Sequence, residues 1–213
     1  MDELVLVIAD KNESSWSLRP WLVLTEAGIP FREEIHLFDA PGWQEQIRAL
    51  TPAGKVPVLC HGALRIWESL AICEYAAELA PEQHLWPEER EARARARALC
   101  CEMLAGFSAL RTECPMNLGL HKTAHALTAA GEADVRRVEE LVEDCLRRSR
   151  GPFLFGRFGI VDAMYAPVTT RFKSYGLPLR GAMADFTAAI YALGAMRCWL
   201  EGARAEVGEL TKG

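Results

Sequence analysis

Three short clusters in the first seventy residues carry side chains and helix starts that could hold a small anionic ligand. The first is Ser14-Ser15-Trp16-Ser17-Leu18-Arg19-Pro20-Trp21, preceded by the apolar run Leu4–Ile8 and the polar turn Asp10-Lys11-Asn12-Glu13. Leu22-Val23-Leu24 and Ala27-Gly28 follow, so the spacing predicts a buried strand, a turn, and a helix that begins among the serines and stops at Gly28. The first N–H groups of a helix lack partners and its dipole favours negative charge, which suits that junction to an anion. A plain helix cap by Ser14 or Ser15 uses the same residues, because Ser is a preferred N-cap. The second cluster is Lys55-Val56-Pro57 and the third is Glu68-Ser69. Pro57 lies between two valines, where a missing ladder donor confines it to a strand's first residue, an edge or a cis turn. Glu68-Ser69 reads as the opening of a helix that runs to about Leu79.

The elements that must position these clusters follow from the pattern around them. Helix one spans Ser15 to Ala27, with Pro20 near its start, and Gly28-Ile29-Pro30 punctuates. Phe31, Glu33, Ile35 and Leu37 alternate with Arg32, Glu34 and His36 as a second strand, reached through a strand–helix–strand crossover. A short helix covers Trp43 to Ala49. His61-Gly62 turns a hairpin whose second strand is Ala63 to Trp67. The order β-α-β-α-β-β-α within about 80 residues is that of a small α/β layer domain.

On these residues the chain resembles the bacterial cytosolic glutathione S-transferases, with a thioredoxin-like N-terminal domain and an all-α C-terminal domain. The motifs that carry the likeness are Ser-Ser-Trp-Ser-Leu-Arg after strand one, Lys55-Val56-Pro57, and Glu68-Ser69, in the family's order and near its spacing. Ser14 to Arg19 is most similar to the zeta class, which includes maleylacetoacetate isomerases; Trp16 stands where that class usually carries Cys. The resemblance implies that Val56 pairs its backbone with the cysteinyl part of glutathione, a cis bond before Pro57 turning its polar groups to the ligand. It implies that Ser69 takes the γ-glutamyl carboxylate, Glu68 the ammonium and Lys55 the glycine carboxylate. The thiol then points at the serines, with Ser14 matching the catalytic hydroxyl and Ser15 a second candidate. A hydroxyl donor and a helix N-terminus both favour thiolate over thiol.

The residues implied as a linker are 81–87, flanked by Pro81 and Pro87, which leaves domains at 1–80 and 88–213. From Glu88 the composition turns to helix formers, with Glu89–Arg93 and Glu91–Arg95 at ion-pair spacing. That helix is expected to continue so that Met103, Phe107 and Arg111 share one face. In the family's layout this face lines the electrophile pocket, together with Trp16 and Arg171 as further candidates. Arg111 on an apolar face calls for a carboxylate partner, from an acidic substrate or from the chain itself. Cys114-Pro115 breaks the pattern, and Glu132 to Arg150 reads as a second long helix with Glu143–Arg147 and Asp144–Arg148 pairs. Gly159 to Pro167 carries Asp162 at the third position of a cap, where Asp162 reads as structural. Ala182 to Gly202 supplies the last helices, with Trp199 packed.

Composition bounds the function. The chain has 213 residues, half of them hydrophobic, and a formal net charge of -5, which argues against a general nucleic-acid binder. No apolar run approaches the ~20 residues of a membrane span, and Asp2, Glu3 and Asp10 do not suit a signal peptide. The seven cysteines form no C-x-x-C pair and no zinc spacing, so they read as reduced core residues with no metal site. The expectation is a cytoplasmic homodimer that adds glutathione to a small electrophile or isomerises one by addition and elimination. A non-catalytic binding or assembly protein of the same fold, and a glutathione-dependent reductase, are the alternatives; the latter class generally needs a Cys where this chain has Ser.

Overall fold

In the computed structural model, which describes residues 3–210 with the side chains of 209 and 210 left aside, β1 (Leu4–Ile8) forms the inner rail of a four-stranded sheet. Asp2 and the end positions of the two expected domains lie outside the described residues. β2 (Arg32–Ile35) runs parallel to β1, while β3 (Val58–His61) and β4 (Leu64–Trp67) add antiparallel strands on the other side, in the order β2-β1-β3-β4. The parallel pair needs a crossover, supplied by α1 (Ser15–Glu26). The alternation from Phe31 to Leu37 overstates β2, which pairs over four residues. Beyond it the chain peels away after the His36 N–H donates to the Ile8 carbonyl, and Asp10 then holds the Phe38 N–H at 2.8 Å. α2 (Trp43–Leu50) and α3 (Ser69–Leu79) complete the first layer pair.

α1 is the axis of the molecule. Most of its surface, from Ser17 to Leu24, is buried, because it packs on α3 on one side and on α7 (Ile160–Tyr175) and α9 (Gly194–Leu210) on the other. Pro20 is its sixth residue, past the first turn, so the missing N–H deprives the Trp16 carbonyl of its helical partner. The segment 80–87 is no loose tether. Pro81–Gln83 form a single 3-10 turn, Leu85 and Trp86 are buried, and the Trp86 indole donates to Glu74 at 2.8 Å.

The second half is helical: α4 (Arg90–Ala105), α5 (Ser108–Glu113), α6 (Ala129–Ser149), α7, α8 (Gly181–Ala192) and α9. One expectation fails at 106–107. α4 does not continue through Arg111; it stops at Ala105, Gly106 is extended and Phe107 is left-handed at φ +59°. Periodicity gave no sign of this, since both sides of the break carry apolar residues at helical spacing. Arg111 folds back over it, donating through Nε to the Gly106 carbonyl at 3.1 Å and through Nη2 to the Met103 carbonyl. Met103, Phe107 and Arg111 therefore do not share one helix face. The ion pairs expected at the start of α4 are rearranged, while Asp144–Arg148 on α6 forms as expected. Glu89 caps α4 by accepting from the Glu91 and Ala92 N–H groups, and Arg93 donates to the Pro87 and Glu88 carbonyls. Arg95 crosses to Asp144 on α6, where Arg148 and Arg147 also converge. α6 begins a turn earlier than the charge pattern suggests, capped by Thr128.

Asp162 has the structural place expected of it. Its Oδ2 accepts from the Gly159 N–H at 2.9 Å and its Oδ1 from the Leu154 N–H at 2.8 Å, tying the tight 151–156 loop to α7. Burial pushes its carboxyl up to about 7, against the pull of those two bonds. Trp199 is fully buried, edge-on to Trp21, and donates to the Lys11 carbonyl at 2.9 Å. Cys73, Cys100, Cys114 and Cys145 are buried, but Cys101 and Cys198 face solvent, so the reading of the cysteines as core residues holds only in part.

Candidate functional site

A cavity of about 290 Å³ opens between the sheet's hairpin edge, the start of α1 and α4, lined by Trp16, Ala53, Lys55, Val56, Pro57, Trp67, Glu68, Ser69 and Leu104. Each lining residue owes its place to local chain geometry. The Val56–Pro57 peptide is cis, the chain enters β3 at Val58, and Val56 lies off the ladder and half-buried. Glu68 sits at φ +69°, the left-handed side of the map, at the corner between β4 and α3. Only a few per cent of non-glycine residues adopt that sign of φ, and here it turns the exposed carboxylate outward at the head of the helix. Ser69, the first residue of α3, lines this cavity and is 1% exposed, and among the described residues its Oγ has no hydrogen-bond partner. A buried hydroxyl without a partner costs on the order of 1–3 kcal/mol, so the atom is poised for a ligand.

The serines at α1 are arranged differently. Ser14 is the N-cap: its Oγ accepts from the Ser17 N–H at 3.4 Å and lies 2.7 Å from the Ser17 Oγ, which in turn accepts from the Ala9 N–H at 3.4 Å. Ser14 and Ser15 are 4% and 7% exposed, and neither lines the cavity. Of the first three residues at this helix start, Trp16 is the one that reaches the cavity wall.

Behind Trp16 stand two arginines. The Arg19 guanidinium lies 3.9 Å from the Trp16 ring centre and that of Arg111 lies 4.8 Å from it. Arg19 is fully buried on α1. Its Nε donates to the Met164 carbonyl at 3.0 Å, and both its terminal nitrogens lack partners. Burial disfavours its charged form, and the charges of Arg111 and Arg171 add to that, yet a guanidinium stays protonated at any working pH. Arg171, expected at the pocket, is instead buried in α7 with its Nε on the Cys114 carbonyl at 2.9 Å, where it pins the turn after α5. Met103 and Phe107 are core residues, 1% and 6% exposed, and do not line the cavity. Trp67, Ala53 and Leu104 line it without having been singled out. Trp67 is an outward position of β4 next to Glu68, and Leu104 follows Met103 on α4; the alternation and the helical period leave both as surface positions.

A larger groove of about 770 Å³ lies between α6 and the start of α8, flanked by Glu132, Arg136, Glu139 and Arg180. It has none of the orphaned buried polar atoms that mark the smaller cavity. Among the described residues, no three His, Cys, Asp or Glu side chains gather as a metal site, and no helix is long and apolar enough to cross a membrane.

Comparison with known proteins agrees with this fold. Residues 13–79 match the family model for the glutathione S-transferase N-terminal domain, and residues 125–193 match that for its C-terminal domain. Glutathione S-transferase 1 of Dianthus caryophyllus is 37% identical over 84 residues, 39% of this chain and 37% of that protein. A probable maleylacetoacetate isomerase of Caenorhabditis elegans is 30% identical over 100 residues, 47% of this chain and 46% of that one. The matched stretches thus span less than half the length of either relative. A Burkholderia glutathione transferase homolog, solved with bound glutathione, superposes with a TM-score of 0.74 at 19% identity, over 96% of this chain and 99% of that one, a likeness of fold.

Proposed function

The chain belongs to the glutathione S-transferase family, and from that premise we propose that it binds glutathione in the 290 Å³ cavity and uses its thiolate to attack a small electrophile. The observation that carries the proposal is Ser69: a buried hydroxyl without a partner, at the head of a helix, in the same cavity as Lys55, Val56 and Glu68. A tripeptide with two carboxylates and one ammonium meets each of those groups with its complement. The γ-glutamyl carboxylate accepts from Ser69 and from the free N–H groups of α3. Glu68 takes the ammonium, and Lys55 the glycine carboxylate. Val56, held off the β3 ladder, offers its backbone polar groups to the cysteinyl unit as a short strand pair.

That placement sends the thiol toward the start of α1. Ser14 and Ser17 form a chain fed by the Ala9 N–H. If Ser17 donates to Ser14, the Ser14 proton is left free to donate to sulfur, with Ser15 as the second hydroxyl within the same turn. A donor to the charged form favours thiolate, and the helix start adds to it. The ordinary thiol titrates near pH ~8.5, so lowering it by about two units makes most of it nucleophilic at neutrality. The thiolate then forms a carbon–sulfur bond with an electrophilic carbon, displacing a leaving group or adding to an activated double bond. Addition, rotation and expulsion of the same thiolate isomerises a cis double bond, the reaction named for the maleylacetoacetate isomerases. A homodimer and a cytoplasmic, detoxifying role belong to this reading.

Turnover of aryl halides and of a maleyl-type cis-diacid with glutathione tests it, in wild type and in Ser14→Ala. The serine mechanism expects kcat/KM to fall by about 10²–10³ in Ser14→Ala, the scale of losing one preorganised donor. Unchanged turnover in that variant removes Ser14 from the mechanism. Glutathione binding without turnover on the whole panel favours a binding or assembly protein.

A further inference from the structure

We propose that the Trp16 indole, loaded by the Arg19 and Arg111 guanidiniums, is the surface against which the glutathione sulfur rests, and that these two fixed positive charges hold the sulfur as thiolate. The inference rests on the glutathione reading above and adds to it a group that the serine mechanism lacks.

Three observations lead to it. At the start of α1 the Ser14 and Ser17 hydroxyls are buried and engaged with one another, while Trp16 lines the cavity beside Val56, Pro57 and Ser69. A bare indole face is a poor neighbour for an anion, because its π cloud is negative; its N–H edge is a donor. Here two guanidiniums lie within 5 Å of the ring centre, 3.9 and 4.8 Å, which offsets that negative face and strengthens the N–H as a donor.

The charges also lack ion-pair partners at contact distance. Neither Arg19 nor Arg111 forms an ion pair within 4 Å among the described residues, and Arg19 Nη1, Arg19 Nη2 and Arg111 Nη1 are buried without partners. The groups facing them are few. Arg171 of α7, Cys73 of α3 and Cys100 of α4 lie around Arg19, and Asp134 of α6 and Tyr165 of α7 lie around Arg111. Asp134 is the one acid in that set, and its Oδ2 is taken by the Leu110 N–H at 3.0 Å. Buried positive charge of this density is stabilised by an anion brought from outside. The anion that the Trp16 wall offers to it is the thiolate. Arg111 acts through the ring, as a positioning residue; Trp16 is the group in contact.

The test titrates the thiolate absorbance near 240 nm of glutathione bound to the full-length protein, with binding of glutathione measured in parallel by calorimetry. Arg111→Gln should raise the midpoint by about one pH unit, a tenfold loss of thiolate below the midpoint, and Arg111→Lys should restore at least half of that shift. Trp16→Phe, which keeps a ring and removes the N–H, should raise it by less. Asp134→Asn keeps an acceptor for Leu110 and removes the countercharge, so the midpoint should fall. If Arg111→Gln binds glutathione and titrates as wild type does, the proposal is overturned. If Arg111→Gln does not fold, an unmoved midpoint in Asp134→Asn overturns it instead. Absence of glutathione binding in the wild type defeats the function proposed above, and this inference with it; a variant that binds but does not shift defeats this inference alone.

Discussion

The cavity has two walls, one running from Ala53 to Ser69 and the other made by Trp16, Leu104 and the arginines behind them. On the first wall, every group comes from one stretch of 17 residues, placed by local backbone such as the positive φ of Glu68 and the first turn of α3. On the second wall, the indole of α1 meets a guanidinium from α5 that has folded back across a broken helix, and Arg19 is sealed beneath by α7. The first wall is a local design that presents hydrogen-bonding groups to the cavity. The second depends on the docking of two domains, and what it presents is charge and shape. In the reading proposed above, the first wall takes the charged ends of glutathione and the second meets its sulfur.

Loosening the docking should damage the second wall most. Trp199 on α9 is fully buried against Trp21 and donates to the Lys11 carbonyl, at the foot of the turn that leads to Ser14. Glu206, a further turn or two along α9, accepts from the Lys11 and Asn12 N–H groups at 3.1 Å each. Trp199→Ala removes the packing and the indole donor together. The expected loss is about 3–5 kcal/mol of stability, read as the shift in the urea midpoint at constant m-value. A loss under about 1 kcal/mol would mean that α9 is dispensable to the docking.

Asp162 sharpens the comparison from the side of pH. It lies deep in the second domain, away from either wall, and burial lifts its carboxyl to about 7 while the bonds from Leu154 and Gly159 pull the other way. An unfolded Asp titrates near ~3.9. Between those values the native state holds a proton that the unfolded state has released. Stability from this group is therefore complete below pH ~4 and declines as pH rises toward about 7. The loss across the window is roughly 3–4 kcal/mol. Urea melts at several pH values should show that decline, and Asp162→Asn should flatten it. A wild-type profile that is flat or rising from pH ~4 to ~7 would place the carboxyl in the ionised form, governed by its two hydrogen bonds.

The two walls were also unequally legible in the sequence. The order of strands and helices in the first domain, the helix start at Ser15 and the third helix at Ser69 were all readable, because Pro57, the His61-Gly62 turn and the Glu68-Ser69 step act on the chain next to them. The break at Gly106-Phe107 was not. Apolar residues continue at helical spacing across it, and nothing in the type of Phe107 announces a positive φ. Arg111 carried a usable signal, a charge on an apolar face, but its partners turned out to be the carbonyls left free by that break. Arg171 gave the same signal and has the same kind of answer, a carbonyl at the turn after α5. Long-range carbonyl partners are invisible to a pattern of side chains. The stacking of Arg19 on Trp16 is local, at three residues' separation on one helix, and could have been read from that spacing.

Ser69 offers the smallest and most discriminating change on the first wall. In most proteins, removing a buried hydroxyl costs stability because it abandons a partner. Here the Oγ has none among the described residues, so Ser69→Ala gives up no bond seen there and removes a desolvated polar atom. Ala also has the higher helix propensity, which favours the variant slightly. Stability should therefore be unchanged or raised by a few tenths of a kcal/mol. Glutathione affinity should fall by about 1.5–3 kcal/mol, the range for a hydrogen bond to a charged group, or roughly ten- to a hundredfold. Calorimetric titration beside a urea melt reads both quantities on one sample. Lost stability with unchanged affinity would make Ser69 a structural residue of α3 and would move the γ-glutamyl carboxylate elsewhere along the wall. Lost affinity with unchanged stability would mean that this hydroxyl is kept free for the ligand.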